Sequence, residues 1–114
     1  MRIEDTISMI CRKIIEDIKP HKIILFGSHA EGTADPNSDI DLLVIWDGNG
    51  LKSNRERRLA IRHVLHSCTD IGMDILTYTE EEIKRITLDS GTFVSQILKE
   101  GKVLYEKCNC LKTL

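Results

Sequence analysis

The sequence predicts an α/β (α+β) fold, a small mixed β-sheet flanked by helices. Three observations carry that expectation. Isoleucines recur at helical spacing near the start, short β-branched apolar runs follow, and charged amphipathic stretches separate those runs. At 114 residues the chain has the length of one domain, since two would need roughly 150 residues each. Leu, Ile, Val and Phe supply 34 of the 114 residues, well above the roughly 20% below which chains stay disordered. One core is therefore expected, without metal or disulfide staples.

The elements follow in order. Ile3, Ile7, Ile10, Ile14 and Ile18 step by three or four along one face of a first helix, which Pro20 stops. The run KIILF at 22–26 reads as a strand buried on both faces, ended by Gly27 and Ser28. A helix beginning at Ser28 must be short, because Gly32, Asp35, Pro36, Asn37 and Ser38 turn the chain into a loop. A second strand is expected over about Asp39–Trp46, closed by the turn residues Asp47, Gly48, Asn49 and Gly50. Ser53 or Asn54 can cap a helix whose apolar residues are Leu59, Ile61, Val64 and Leu65. Its arginines, Arg55, Arg57, Arg58 and Arg62, are expected on a solvated face, with phosphate or partner contact as the alternative.

A turn at 70–72 leads to MDILTY at 73–78, a third strand. Thr79 and Glu82 have capping-box spacing for a short helix carrying Ile83 and Ile86. A further helix is expected over about Leu88–Glu100, burying Leu88, Val94, Ile97 and Leu98 and ending at Gly101. KVLYE at 102–106 is a last strand, and 107–114 reads as a flexible tail.

Charge excludes some functions. Sixteen Lys and Arg against eighteen Asp and Glu leave a formal charge of −2, so bulk attraction to nucleic acid or anionic membrane is not expected. Cys11, Cys68, Cys108 and Cys110 are too few and too irregular for a secreted disulfide framework, and the chain opens on no secretory signal pattern, so a reducing cytoplasm is expected. Apolar runs such as IILF are far shorter than the roughly 18 residues of a membrane span. His63, His66 and Cys68 lack a partner pair at zinc spacing and read as surface residues, and Cys108 and Cys110 as incidental.

The chemistry concentrates in GSHAEGTADPNSDIDLLV, Gly27–Val44. Gly27 permits a sharp turn and close approach of a ligand, and Ser28 adds a hydroxyl beside main-chain donors, an arrangement suited to phosphate. Asp39 and Asp41, at i and i+2 of a strand, project from the same face. Two like charges on an otherwise apolar strand resist burial, and a divalent cation relieves that cost. Oxygen-only ligation suits Mg²⁺, or Mn²⁺ in its place. Asp74 opens another strand, and if that strand neighbours the second, three aspartates converge. Three aspartates opposite a phosphate turn are what two-metal transfer of a nucleotidyl group requires.

This pattern of Gly27-Ser28, ten residues, Asp39-x-Asp41 and a later acidic strand resembles the minimal nucleotidyltransferases of the polymerase-beta superfamily. Those proteins are the antitoxin half of HEPN–MNT toxin–antitoxin pairs. By chance the four residues recur at this spacing about once in 10⁵ start points. The resemblance implies a nucleotidyltransferase domain over 1–106 with that family's fold. It also implies that Gly27 and Ser28, with His29 beside them, hold an ATP triphosphate, and that Asp39, Asp41 and Asp74 ligate the metal. Asp74 would also act on the nucleophile's proton. The implied reaction moves AMP, or another nucleoside monophosphate, onto a tyrosine hydroxyl of a HEPN ribonuclease toxin, so that this chain would be its antitoxin. The alternatives are an antitoxin that neutralises by binding alone, and a small-molecule nucleotidyltransferase working with a helical partner subunit. Family members commonly read G-S-R-A-R-G at the turn, whereas this chain has His29 and Glu31 where the arginines stand.

Overall fold

A computed structural model describes residues 3–35, 37–48, 50–66, 71–88 and 91–107. Pro36, Asn49, Asp70, Cys68, Cys108, Cys110 and the tail at 108–114, on which some of the expectations above fall, lie outside those residues. Among the described residues the order is α1 (Ile3–Ile18), β1 (Lys22–Phe26), α2 (Ser28–Glu31), β2 (Ile40–Ile45), α3 (Asn54–Leu65), β3 (Met73–Tyr78), α4 (Glu80–Ile86), α5 (Phe93–Glu100) and β4 (Lys102–Glu106).

The four strands form one mixed sheet in the order β3-β2-β1-β4. β1 runs antiparallel to β2 and β4, while β2 and β3 are parallel neighbours joined through α3. Because strand side chains alternate, the apolar runs feed two cores. Ile23, Leu25, Leu42, Val44 and Ile75 pack with Ile10 and Ile14 of α1 and Ile61 and Leu65 of α3. On the other face Ile24 and Leu43 pack with Val94 and Ile97 of α5, backed by Leu76, Ile83 and Ile86. Each fully buried Ile or Leu contributes roughly 1.5–3 kcal/mol.

The caps explain most boundaries. The Ser53 side chain accepts from the Glu56 amide, which starts α3. Thr79 and Glu82 exchange both bonds of a capping box at α4. The chain leaves α1 through Lys19, whose φ of 55° ends the helix one residue before Pro20.

Four expectations are corrected. The second strand starts at Ile40, leaving Asp39 one residue ahead of it. The helix expected from Leu88 starts only at Phe93, where the Thr92 hydroxyl caps the Ser95 amide; Leu88 is 88% exposed and belongs to the preceding turn. Leu59 points outward at 52% exposure. Its place in the buried stripe of α3 is taken by Arg57, which is not solvated. The Arg57 guanidinium donates from Nε and Nη2 to Asn54 Oδ1 and from Nη1 to the Leu51 carbonyl, so its charge is buried with partners.

Candidate active site

Two strands, β2 and β3, position the aspartates. Phe26 of β1 lies opposite Asp41 of β2, and Asp41 lies opposite Asp74 of β3, forming one row across the sheet. The alternation that sends Leu43 and Leu76 towards α5 sends Asp41 and Asp74 to the same face, two residues earlier in each strand. Ile40 donates its amide to the Gly72 carbonyl, which holds Asp39 against Gly72. A Cβ on Gly72 would fall on the Asp39 carboxylate, and one on Gly27 would fall on that of Asp41. Gly27 also has φ of 74°, which only glycine adopts at low cost, so both its backbone and its missing side chain are used.

Asp41 is half-buried, whereas Asp39 and Asp74 are exposed. Burial pushes the Asp41 carboxyl above its ordinary value, and the neighbouring charges of Asp74 and then Asp39 push it further; His29 pulls the other way. Among the described residues no cationic neighbour of Asp41 reverses that shift. An uncompensated pair of this kind, with oxygen donors only, fits a hard divalent cation that takes one or two carboxylates and completes its shell with water and phosphate oxygens.

A cavity of about 400 Å³ opens from this row, a volume within the range of small-molecule sites. Gly27, Asp41 and Asp74 form one wall. Ala30 and Glu31 of α2 and Phe26 flank it, and α5 closes it with Phe93, Gln96, Ile97 and Glu100, ahead of Gly101. The Phe26 and Phe93 rings meet edge to face at 6.0 Å and 84°. Among the described lining residues the charged groups are all carboxylates.

Three of the expected residues, Asp39, Ser28 and His29, do not line this cavity. Ser28 opens α2, whose Ala30 and Glu31 amides bond the Gly27 carbonyl. His29 donates from Nε2 to the Ser38 carbonyl at 3.2 Å, which braces α2 against the loop before β2. Sequence reasoning missed the α5 wall. Its signal was the helical step from 93 to 96, 97 and 100, masked by the expected start at Leu88.

A second group was also missed. Among the described residues, His21, Asp47 and Glu80 have ligand atoms all within 4.8 Å of one another. His21 Nε2 lies 2.8 Å from Asp47 Oδ2 and 3.6 Å from Glu80 Oε2. These residues could hold a metal ion, although Asp47 and Glu80 are exposed and the His21–Asp47 hydrogen bond already accounts for their approach. They flank the opposite end of the strands, since Lys22 pairs with Ile45 and Ile45 with Tyr78, about 20 Å from Asp41 at strand rise.

The comparisons agree with the geometry. The family described as "Polymerase beta, Nucleotidyltransferase" matches residues 9–109. "Putative protein adenylyltransferase MJ0604" of Methanocaldococcus jannaschii is 33% identical over 88 residues, which are 74% of this chain and 77% of that protein. A toxin–antitoxin crystal structure with AMP-PNP superposes with a TM-score of 0.60 at 27% identity, covering 88% of this chain and 73% of that one. A variant of the toxin–antitoxin MntA-HpeT gives 0.58 at 25%, with the same coverage. A nucleotidyltransferase-like structure from Sulfolobus solfataricus shares the fold, at 20% identity and a TM-score of 0.55 over 92% of this chain and 86% of its own. No helix among the described residues is long and apolar enough to cross a membrane. With the family match spanning residues 9–109 and a relative 33% identical over 74% of its length, this chain belongs to the polymerase-beta nucleotidyltransferase family.

Proposed function

We propose that this chain transfers AMP from ATP to a hydroxyl of a partner protein, a tyrosine of a HEPN ribonuclease toxin, and that this AMPylation makes it the toxin's antitoxin. The observation that carries the reading is the register of Asp41 against Asp74 on the cavity wall beside Gly27. The likeness to a toxin–antitoxin structure solved with AMP-PNP and to MntA-HpeT supports the nucleotide and the class of partner.

In this reading Asp39, Asp41 and Asp74 hold Mg²⁺, or Mn²⁺. When bound, the cation lowers the pKa of the attacking hydroxyl and neutralises triphosphate charge. The chain's own residues do the rest. Gly27, lacking a side chain, lets the Asp41 carboxylate lie against the turn that would receive the phosphate, and the Ser28 hydroxyl and the His29 ring flank the triphosphate. The acceptor oxygen attacks the α-phosphorus, the bond to pyrophosphate breaks, and the Asp74 carboxylate takes the hydroxyl proton. The products are the nucleotidylated hydroxyl and pyrophosphate.

One observation favours a second reading, an antitoxin that acts by binding alone. Glu31 lines the cavity where family members commonly carry arginine, so triphosphate charge meets a carboxylate there. Mass spectrometry of the partner toxin after incubation with ATP and Mg²⁺ separates the two. Transfer predicts the added mass of AMP on a tyrosine, lost with Asp41→Asn, which still forms the complex. An unmodified toxin that Asp39→Asn and Asp41→Asn variants still neutralise would overturn transfer in favour of occlusion.

A further inference from the structure

The α5 wall has a chemistry unlike that of the aspartate wall. Positions 93, 96, 97 and 100 form one helical stripe facing the cavity. Ile97 is its buried anchor at 4% exposure, while Phe93 stays 62% exposed although it lines the cavity and packs on Phe26. A large aromatic ring left open at a cavity wall offers a surface on which a base stacks. Next to it Gln96 Nε2 donates to Glu100 Oε2 at 3.3 Å. That bond uses one of the two Gln96 Nε2 hydrogens, so the pair presents carboxylate and amide oxygens as acceptors against a single remaining N–H, an acceptor-rich edge.

We propose that Phe93, Gln96 and Glu100 form the nucleobase site, and that it selects bases carrying an exocyclic amino group. This inference rests on the nucleotide reading above. With the triphosphate drawn to Gly27 and the aspartates, the base of the same molecule points across the cavity to α5. An amino group of adenine, guanine or cytosine donates to the Gln96 and Glu100 oxygens. Uracil presents a single N–H between two carbonyl oxygens, and those oxygens face a carboxylate with no Lys or Arg among the described lining residues to receive them. The site thus discriminates by leaving at least one of the wrong base's two carbonyl acceptors unpaired.

The test is calorimetric titration of the full chain with ATP, GTP, CTP, UTP and ITP in Mg²⁺. ATP, GTP and CTP should each bind at least about tenfold tighter than UTP. ITP, which lacks guanine's amino group, should bind about as weakly as UTP. Glu100→Gln should bring UTP to within about threefold of ATP, whereas Phe93→Ala should weaken all five together, at least about fivefold. Equal binding of UTP and ATP by the unaltered chain, or a Glu100→Gln effect that is the same for every base, would overturn the base assignment while leaving nucleotide binding intact. If none of the five binds, the nucleotide reading itself falls and this inference with it.

Discussion

Asp41→Asn should make the chain more stable while removing a ligand of the proposed metal site. Asp41 and Asp74 are register partners on parallel strands, so their carboxylates lie roughly 5 Å apart. At effective dielectrics between 80 and 20, two like charges at that distance repel by about 1 to 3 kcal/mol. Asp74 is exposed, which argues for the low end. Asparagine keeps the shape and removes the repulsion, so a gain of about 1 kcal/mol is expected, or about 4 °C in Tm for a domain of this size. The assay is thermal unfolding by circular dichroism at pH 7, low salt and excess EDTA. In 1 M NaCl, where the Debye length is about 3 Å, the gain should shrink. The sign also depends on pH. The raised carboxyl of Asp41 costs nothing below its ordinary value of 3.8, where it is protonated in both states, and the cost grows as pH rises through the folded value. The gain should therefore be absent near pH 3. With Mg²⁺ well above its Kd the order should reverse, because the ion stabilises only the chain that binds it. An Asp41→Asn Tm equal to or below that of the unaltered chain in EDTA, or a gain insensitive to salt, would refute the repulsion argument.

Other outcomes follow from the same geometry. Gly27→Ala places a Cβ on the Asp41 carboxylate at φ of 74°, so it should lose at least about 1–2 kcal/mol in urea unfolding and abolish ATP binding. Glu31→Arg puts a cation on the cavity wall, and titration in EDTA should find tighter metal-free ATP binding; unchanged affinity would remove Glu31 from the triphosphate path. Asp47 is held below its ordinary 3.8 by the hydrogen bond from His21 first, against some desolvation, and Glu82 is lowered from 4.5 because its bonds from Thr79 and Asn54 and the Arg57 charge outweigh burial. Both contributions are full above those ordinary values and are lost as pH falls through the folded ones, so Tm should drop between about pH 5 and 3. His21→Ala should flatten part of that drop.

What was legible in the sequence was what local spacing encodes. The ends of MDILTY at 73–78 match β3 because Gly72 and Thr79 bracket a β-branched run, and Thr79 with Glu82 announces α4 through bonds three residues apart. Gly27-Ser28 and the Asp39-x-Asp41 pair marked the candidate site, but the opposition of Asp41 to Asp74 depended on a pairing that sequence could only make conditional. Leu88 misled because an apolar residue shortly before the Val94, Ile97 and Leu98 stripe reads as part of the same helix until the Thr92 cap sets the start. Arg57 misled for the opposite reason. Polarity patterns take an arginine as solvated, and only the carbonyl of Leu51 and the side chain of Asn54 explain its burial. His21, Asp47 and Glu80 meet through strand register across long sequence separations, which no spacing rule detects.

The row from Phe26 through Asp41 to Asp74 has a temporal consequence. A ribosome that has released β1 and β2 has delivered Gly27 and two aspartates but neither the third carboxylate nor the α5 wall. The aspartate row and the cavity it lines cannot assemble until the chain has emerged through Glu100 and the non-local parallel pair has closed, the slow kind of step in folding. On the proposed reading, nucleotide binding would report that synthesis has passed that point, and half-made chains would carry the turn without the rest of the site.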